Sequence, residues 1–115
     1  MIIGLHALIY SADPEADRAF LRDKLGFKHV DAGHGWLIFA MPPAELAVHP
    51  AEEPAHELYL MCDDLDATLA SLGEQGVELP GEPVQARFGR LARIRLPGGG
   101  ELGIYQPSHP TALDL

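Results

Sequence analysis

Three residues that could take part in metal or acid–base chemistry stand in three separate apolar segments: His6, Glu57 and Glu101. Imidazole nitrogens and carboxylate oxygens bind divalent metals, and a metal with open coordination positions polarises an oxygen of a bound molecule. Each side chain also has an ordinary role, since a histidine on an apolar strand often only packs, and strand carboxylates are commonly exposed or ion-paired. Metal chemistry therefore requires a fold that brings the three together.

Four arginines concentrate positive charge in one predicted hairpin: Arg87, Arg90, Arg93 and Arg95. We expect most of this charge to face solvent or an interface, and recognition of an anionic ligand is the alternative. Cys62 lies just before a predicted helix start, where a thiol pKa can fall. Its strand context favours burial, and no histidine is placed beside it for nucleophilic catalysis, so we predict an inert thiol.

The same order of elements occurs twice in the chain. Residues 2–10 are apolar in both alternating sets, which favours a strand covered on both faces. A helix follows, with Asp13 as its cap, Pro14 at its first position and Gly26 at its end. Residues 56–62 predict a second such strand, followed by a helix that ends at Gly76. A repeated pattern of this kind indicates two copies of one supersecondary unit.

Each copy continues with further predicted strands. In the first copy these are residues 27–31, 36–41 and 45–49, and in the second 77–79, 84–88, 90–96 and 101–107. Residues 36–41 are the most apolar, so we expect an interior strand there. The predicted fold class is α+β, with two βαβββ units in one domain. Unit one spans residues 1–50, a linker 51–55, unit two 56–107 and a C-terminal tail 108–115.

Composition narrows the classes of partner. The chain has 115 residues, of which 47% are hydrophobic, with a formal net charge of −9. This charge disfavours nucleic acid or an anionic membrane as the main partner and leaves a small-molecule ligand or a protein. A single cysteine excludes an internal disulfide framework, and no leader-like segment or long apolar run is present, so we expect a cytoplasmic protein.

The sequence resembles the vicinal oxygen chelate superfamily, which includes glyoxalase I, the extradiol dioxygenases and the bleomycin-resistance proteins. The segments that carry the resemblance are residues 6–13, 20–27, 63–67 and 97–107, in this order and doubled. The resemblance implies that the two units form a curved, mostly antiparallel sheet around a cavity. It also implies that enzymes of the family bind a divalent metal in the cavity, where the metal chelates two oxygens of the substrate.

The resemblance assigns the first two ligand positions. One is a histidine seven residues before the cap of the first helix, which matches His6 before Asp13. The equivalent residue of the second unit is His56 if Asp63 caps the second helix, or Glu57 if Asp64 does. Adjacent strand residues face opposite ways, so only one of the two is expected to face the cavity. We favour Glu57, either as a ligand or as a catalytic base.

The third ligand position departs from the family pattern. The family usually has a glutamate in the closing strand, where this chain has Gly103. Glu101 lies two residues earlier and hence on the same strand face, so a displaced site of His6, Glu57 and Glu101 is one prediction. Its metal would be Fe, Zn, Ni or Mn. The alternative is no cofactor.

Large side chains on the predicted strands are candidates for the cavity wall, although such residues more often form core: Tyr10, Trp36, Tyr59, Met61 and Tyr105. The leading hypothesis is a small-molecule-binding protein with an incomplete or displaced metal site. One alternative is a metal-dependent glyoxalase-type lyase or isomerase, or an extradiol-type dioxygenase. Another is a drug- or toxin-sequestering protein, whose acidic charge would suit a cationic drug. We also predict a homodimer that buries the strand of Trp36 or that of Tyr105.

Overall fold

The computed structural model describes residues 6–45, 47, 48 and 50–115. In these residues, two helices and six strands follow one another as α1 (Pro14–Asp23), β1 (His29–Asp31), β2 (Leu37–Phe39), β3 (Tyr59–Met61), α2 (Leu65–Glu74), β4 (Val84–Ala86), β5 (Gly89–Arg95) and β6 (Glu101–Pro107). The predicted α+β class is confirmed. No helix in the described ranges is long and apolar enough to cross a membrane.

The second half of the chain forms a complete βαβββ unit. Its four strands lie in the order β3-β6-β5-β4. β3 runs parallel to β6, whereas β5 pairs antiparallel with both β6 and β4. The parallel pairing requires a crossover, which α2 provides between β3 and β4.

The ends of both helices follow local sequence signals. Asp13 caps α1 by accepting a hydrogen bond from the amide of Ala16 at 3.2 Å, and Asp64 caps α2 by accepting one from Ala67 at 3.1 Å. Gly26 and Gly76, beyond the two helices, have φ of 72° and 82°, a region in which glycine carries no steric penalty. The cap at Asp64 settles the choice between Asp63 and Asp64.

One face of the four-stranded sheet packs against α2 and forms the core. The buried side chains come from α2, β5, β6 and α1, and include Leu65, Leu69, Ile94, Ile104 and Phe20. Because strand side chains alternate, the neighbouring residues of β3, β5 and β6 point to the opposite face. That second face carries Tyr59, Met61, Leu91, Arg93, Gly103 and Tyr105.

The apolar side chains in the first half of the chain are more exposed to solvent than the sequence predicts. β1 and β2 form a separate two-stranded sheet. The expectation of an interior strand at 36–41 is wrong: only Leu37–Phe39 is strand, and Trp36 and Met41 are 58% and 49% exposed. Val30 and Ile38 of this hairpin are also exposed, whereas Leu37 and Phe39 are half-buried.

Three other predicted strands also differ. Residues 6–10 are irregular, and residues 2–5 of the same prediction lie outside the described residues. Residues 45, 47 and 48 are irregular, whereas Leu46 and His49 are not described. Residues 77–79 form no strand, although the amide of Arg95 donates to the carbonyl of Glu78 at 2.9 Å. This backbone bond aligns Glu78 beside β5 without extending into a ladder.

A buried carboxylate joins α1 to the second unit. Asp17 is 6% exposed, and its Oδ1 accepts a hydrogen bond from the amide of Gly98 at 2.7 Å. A Cβ at position 98 would collide with this carboxylate and with the hydroxyl of Ser11. The turn between β5 and β6 therefore needs glycine at the point where the two halves meet.

Candidate functional site

The centre of the open sheet face is a tyrosine ring over a glycine. Tyr59 of β3 is the register partner of Gly103 of β6. A Cβ built at position 103 would lie only 3.2 Å from Cγ of Tyr59 and closer still to two other ring carbons. The phenol ring therefore occupies the space that any side chain at position 103 would need.

Two further aromatic rings extend this surface. Tyr105 meets Tyr59 edge to face, with ring centroids 5.6 Å apart, and meets Phe88 in the same way at 6.0 Å. Such pairs stabilise their arrangement by about 0.5–1.5 kcal/mol beyond area burial. We call Tyr59, Phe88 and Tyr105, with the neighbouring Met61, the aromatic platform. It is half-exposed, and no helix in the described ranges packs on this face of the sheet.

Arg93 stands at the edge of the aromatic platform. Its guanidinium carbon is 5.7 Å from the centroid of the Tyr59 ring, and its Nη2 donates to the Tyr59 hydroxyl at 3.5 Å. Burial raises the pKa of the Tyr59 phenol, and the neighbouring Glu57 carboxylate raises it further, because a phenolate would be poorly solvated and repelled there. Tyr59 is thus a neutral hydroxyl between a cation and an anion.

An open cleft of about 280 Å³ adjoins the platform at Arg93. Its lining includes His56, Glu57, Arg93, Glu101, Leu8 and Ile9. His56 and Glu57 are both among its lining residues, and the choice of Glu57 over His56 stays a prediction. β3 begins at Tyr59, so residues 56–58 are irregular and strand alternation does not apply to them.

The predicted site residues are distributed unevenly around this cleft. Glu57 and Glu101 line it, whereas His6 is exposed and is not among its lining residues. Tyr59, Met61 and Tyr105 share the open sheet face. Tyr10 is 91% exposed, and Trp36 lies under the guanidinium of Arg18 at 4.7 Å. The structure thus groups three of the five predicted cavity residues.

A second polar cluster beside the platform was not predicted from the sequence. The hydroxyl of Tyr105 lies 3.3 Å from Nε2 of His109, which is 3.8 Å from Oε1 of Glu45. The amide of Ala112 donates to Oε2 of Glu45 at 2.8 Å. Burial raises the pKa of Tyr105, and the Glu45 carboxylate adds to the effect. This cluster holds the C-terminal tail against the edge of the platform.

Cys62 lies behind the platform and has no sign of activation. Its thiol donates to the carbonyl of Tyr105 at 3.5 Å. Burial raises its pKa, which disfavours the thiolate that nucleophilic chemistry needs.

Comparison with models of protein families shows which family this chain belongs to. The model of the Glyoxalase/Bleomycin resistance protein/Dioxygenase superfamily matches residues 5–104. The chain belongs to this superfamily. The superfamily assignment agrees with the strand–helix order of the second unit.

Solved structures give the same result. TnmS3, described as an antibiotic binding protein from Streptomyces sp. CB03234, is 30% identical, with a TM-score of 0.67 over 94% of this chain and 99% of that chain. A glyoxalase/bleomycin resistance protein from the same organism is 31% identical, with a TM-score of 0.57 over 84% and 93%. Lactoylglutathione lyase from Agrobacterium tumefaciens, at 18% identity and a TM-score of 0.66 over 90% and 92%, shares the fold. No match was found among curated proteins.

The described residues do not fit the divalent metal that enzymes of the superfamily carry. Gly103 offers no ligand atom, and the Tyr59 ring fills the space above it. Glu101 lies 3.8 Å from the guanidinium of Arg95. Within the described ranges, no three His, Cys, Asp or Glu side chains are grouped closely enough to hold a metal ion. The described residues offer a ligand the aromatic platform and Arg93 on this face of the sheet.

Proposed function

We propose that this superfamily protein binds a planar, aromatic small molecule on the aromatic platform and sequesters it without converting it. The observation that carries the proposal is the Tyr59 ring over Gly103. It gives the sheet an apolar, aromatic floor at the position where the family pattern has a metal-binding glutamate. Planar rings stack favourably on such a surface, because edge and face contacts add to the burial of apolar area.

The relationship to TnmS3 supports the same function. That protein is described as antibiotic-binding, is 30% identical and is matched over almost its whole length. We therefore place the ligand among antibiotics or toxins with a planar ring system. Sequestration needs affinity and no reaction, which agrees with the raised pKa of Cys62, because burial disfavours the nucleophilic thiolate.

Isothermal titration calorimetry with 2-naphthamide, a neutral planar probe, tests binding. We expect saturable binding with one site per chain, and mass spectrometry of the recovered probe should show no change in mass. Complete absence of heat with this probe and with larger planar antibiotics would overturn the proposal, and so would a chemically altered product.

We further propose that the protein acts as a homodimer in which a second copy covers the β1–β2 hairpin. Val30, Trp36 and Ile38 are 65%, 58% and 37% exposed on this two-stranded sheet. A two-stranded sheet alone is marginally stable in water, and apolar patches of this kind mark interfaces. A two-fold axis would let the same patch serve both copies.

Sedimentation equilibrium at micromolar concentration tests the assembly. Wild-type protein should sediment as a dimer, and Ile38→Glu should shift it to the monomer mass. Leu115→Glu, at a fully exposed terminal residue, is the matched control and should remain dimeric. A wild-type monomer would contradict the proposal.

A further inference from the structure

Within the described ranges, Arg93 differs from Arg90 and Arg95, the other arginines of β5, in having no ion pair. Arg90 binds Asp66 at 2.8 Å, and Arg95 lies 3.5 Å from Glu78 and 3.8 Å from Glu101. Among the described residues, no carboxylate forms an ion pair with Arg93, although it projects from the centre of the same strand. Its charge is therefore available to a ligand.

The guanidinium of Arg93 is held in place without being neutralised. The Tyr59 ring lies beneath it and the Tyr59 hydroxyl accepts one of its hydrogen bonds. A guanidinium has five N–H donors in a planar fork, and most of them have no acceptor among the described residues. Stacking on an aromatic ring restricts the fork, which lowers the entropy cost of forming two parallel hydrogen bonds to an oxyanion.

The guanidinium of Arg93 lies within reach of a ligand on the aromatic platform. Arg93 is the register partner of Gly103, and Tyr105 lies two residues further along β6 on the same face. Two strand residues span about 7 Å, which is close to the length of a fused two-ring aromatic system. A planar ligand on the platform can thus place a substituent at Arg93, where the cleft opens.

We infer that Arg93 recognises an oxyanion, a carboxylate or an acidic phenolate, carried by a planar aromatic ligand on the platform. This inference rests on the proposed function and specifies its ligand. Glu57 and Glu101 also line the cleft, so the anionic group must lie at Arg93 and away from both. The net charge of −9 repels anions at long range. Selection of an anionic ligand therefore depends on short-range hydrogen bonds from the Arg93 guanidinium.

A matched series of naphthalenes tests the inference by calorimetry: 2-naphthoate, 2-naphthamide and 2-naphthylmethylammonium. They share one ring system and differ in charge. We expect wild-type protein to bind 2-naphthoate about tenfold more tightly than 2-naphthamide, the ratio for one charge-assisted hydrogen-bonded pair. Arg93→Gln should remove this preference, with a larger loss of affinity for 2-naphthoate than for 2-naphthamide.

Two further variants separate charge from geometry. Arg93→Lys should retain only part of the preference, because an ammonium lacks the planar fork. Arg87→Gln removes an exposed arginine from the same hairpin and should change nothing. Circular dichroism checks that each variant is folded. If Arg93→Gln does not fold, Arg93→Lys by itself tests whether Arg93 selects the oxyanion.

The outcomes distinguish this inference from the proposed function. Equal binding of 2-naphthoate and 2-naphthamide, or a preference unchanged by both Arg93 variants, overturns the role of Arg93 and leaves the platform intact. Tightest binding of the ammonium probe also overturns it, and would assign selection to Glu57 and Glu101. Failure of every probe to bind wild-type protein overturns the proposed function and the inference together.

Discussion

The phenol ring of Tyr59 packs directly onto Gly103 across the parallel pairing of β3 and β6. This contact excludes any side chain from position 103 and supplies an aromatic surface in its place. The two residues are complementary in shape, so the effect of a substitution at one of them on stability should depend on the residue at the other.

Gly103→Ala should lower the free energy of unfolding by about 1–3 kcal/mol, because the added methyl group overpacks the Tyr59 ring. Urea unfolding measures the change. Gly100→Ala is the matched control, since a Cβ there meets nothing within 4 Å. In a Tyr59→Ala background the cost of Gly103→Ala should largely disappear, and an unchanged cost in that background would contradict the contact.

Asp17→Ala should destabilise the protein by about 1–3 kcal/mol, because the half-buried amide of Gly98 loses its acceptor. Asp17→Asn keeps a side-chain oxygen and should cost less. Asp23→Ala, at an exposed carboxylate near the end of the same helix, should leave the unfolding midpoint nearly unchanged. Equal effects of Asp17→Ala and Asp23→Ala would show that the link between α1 and the turn is unimportant.

The phenol of Tyr59 should titrate above its ordinary pKa of 10.0, because burial and then Glu57 raise it. The folded state holds this proton more tightly than the unfolded state, so this group's contribution to stability falls as pH rises above 10.0. Tyrosine-labelled ¹³C NMR resolves the titration. Glu57→Gln should lower the pKa of Tyr59, whereas Glu53→Gln should not, and a pKa insensitive to Glu57 would contradict the arrangement.

The amide of Ala112 should exchange with solvent about tenfold faster in Glu45→Ala, since its acceptor is lost. Glu45→Gln retains an amide oxygen and should preserve most of the protection. Hydrogen exchange followed by NMR measures both. Unchanged protection of Ala112 in Glu45→Ala would show that the tail is held by other contacts.

Local signals predicted the helices well. Asp13, Pro14 and Gly26 define α1 through interactions within a few residues, and the structure confirms each of them. The hairpin of β4 and β5 and the closing strand β6 were likewise predicted, because their apolar patterns and turns are local. The choice of Asp64 as the second cap needed the structure, since two adjacent aspartates satisfy the same rule.

Features that depend on distant contacts were predicted less well. Trp36 lies in the most apolar stretch, yet its exposure depends on what packs over β2, which the pattern does not encode. Glu45 and Ala112 are 67 residues apart, and no spacing rule connects them. Gly103 was recognised as a departure from the family pattern, but only the register of β3 and β6 shows that Tyr59 fills its space.

The affinity of Tyr59 variants for neutral 2-naphthamide tests the central claim most directly. Tyr59→Phe keeps the ring and should bind the probe as wild-type protein does, whereas Tyr59→Leu should bind it about tenfold more weakly, because the stacking surface is lost. Calorimetry on folded samples of both variants gives the two dissociation constants. Equal affinity of Tyr59→Leu and Tyr59→Phe would contradict the aromatic platform as the binding site.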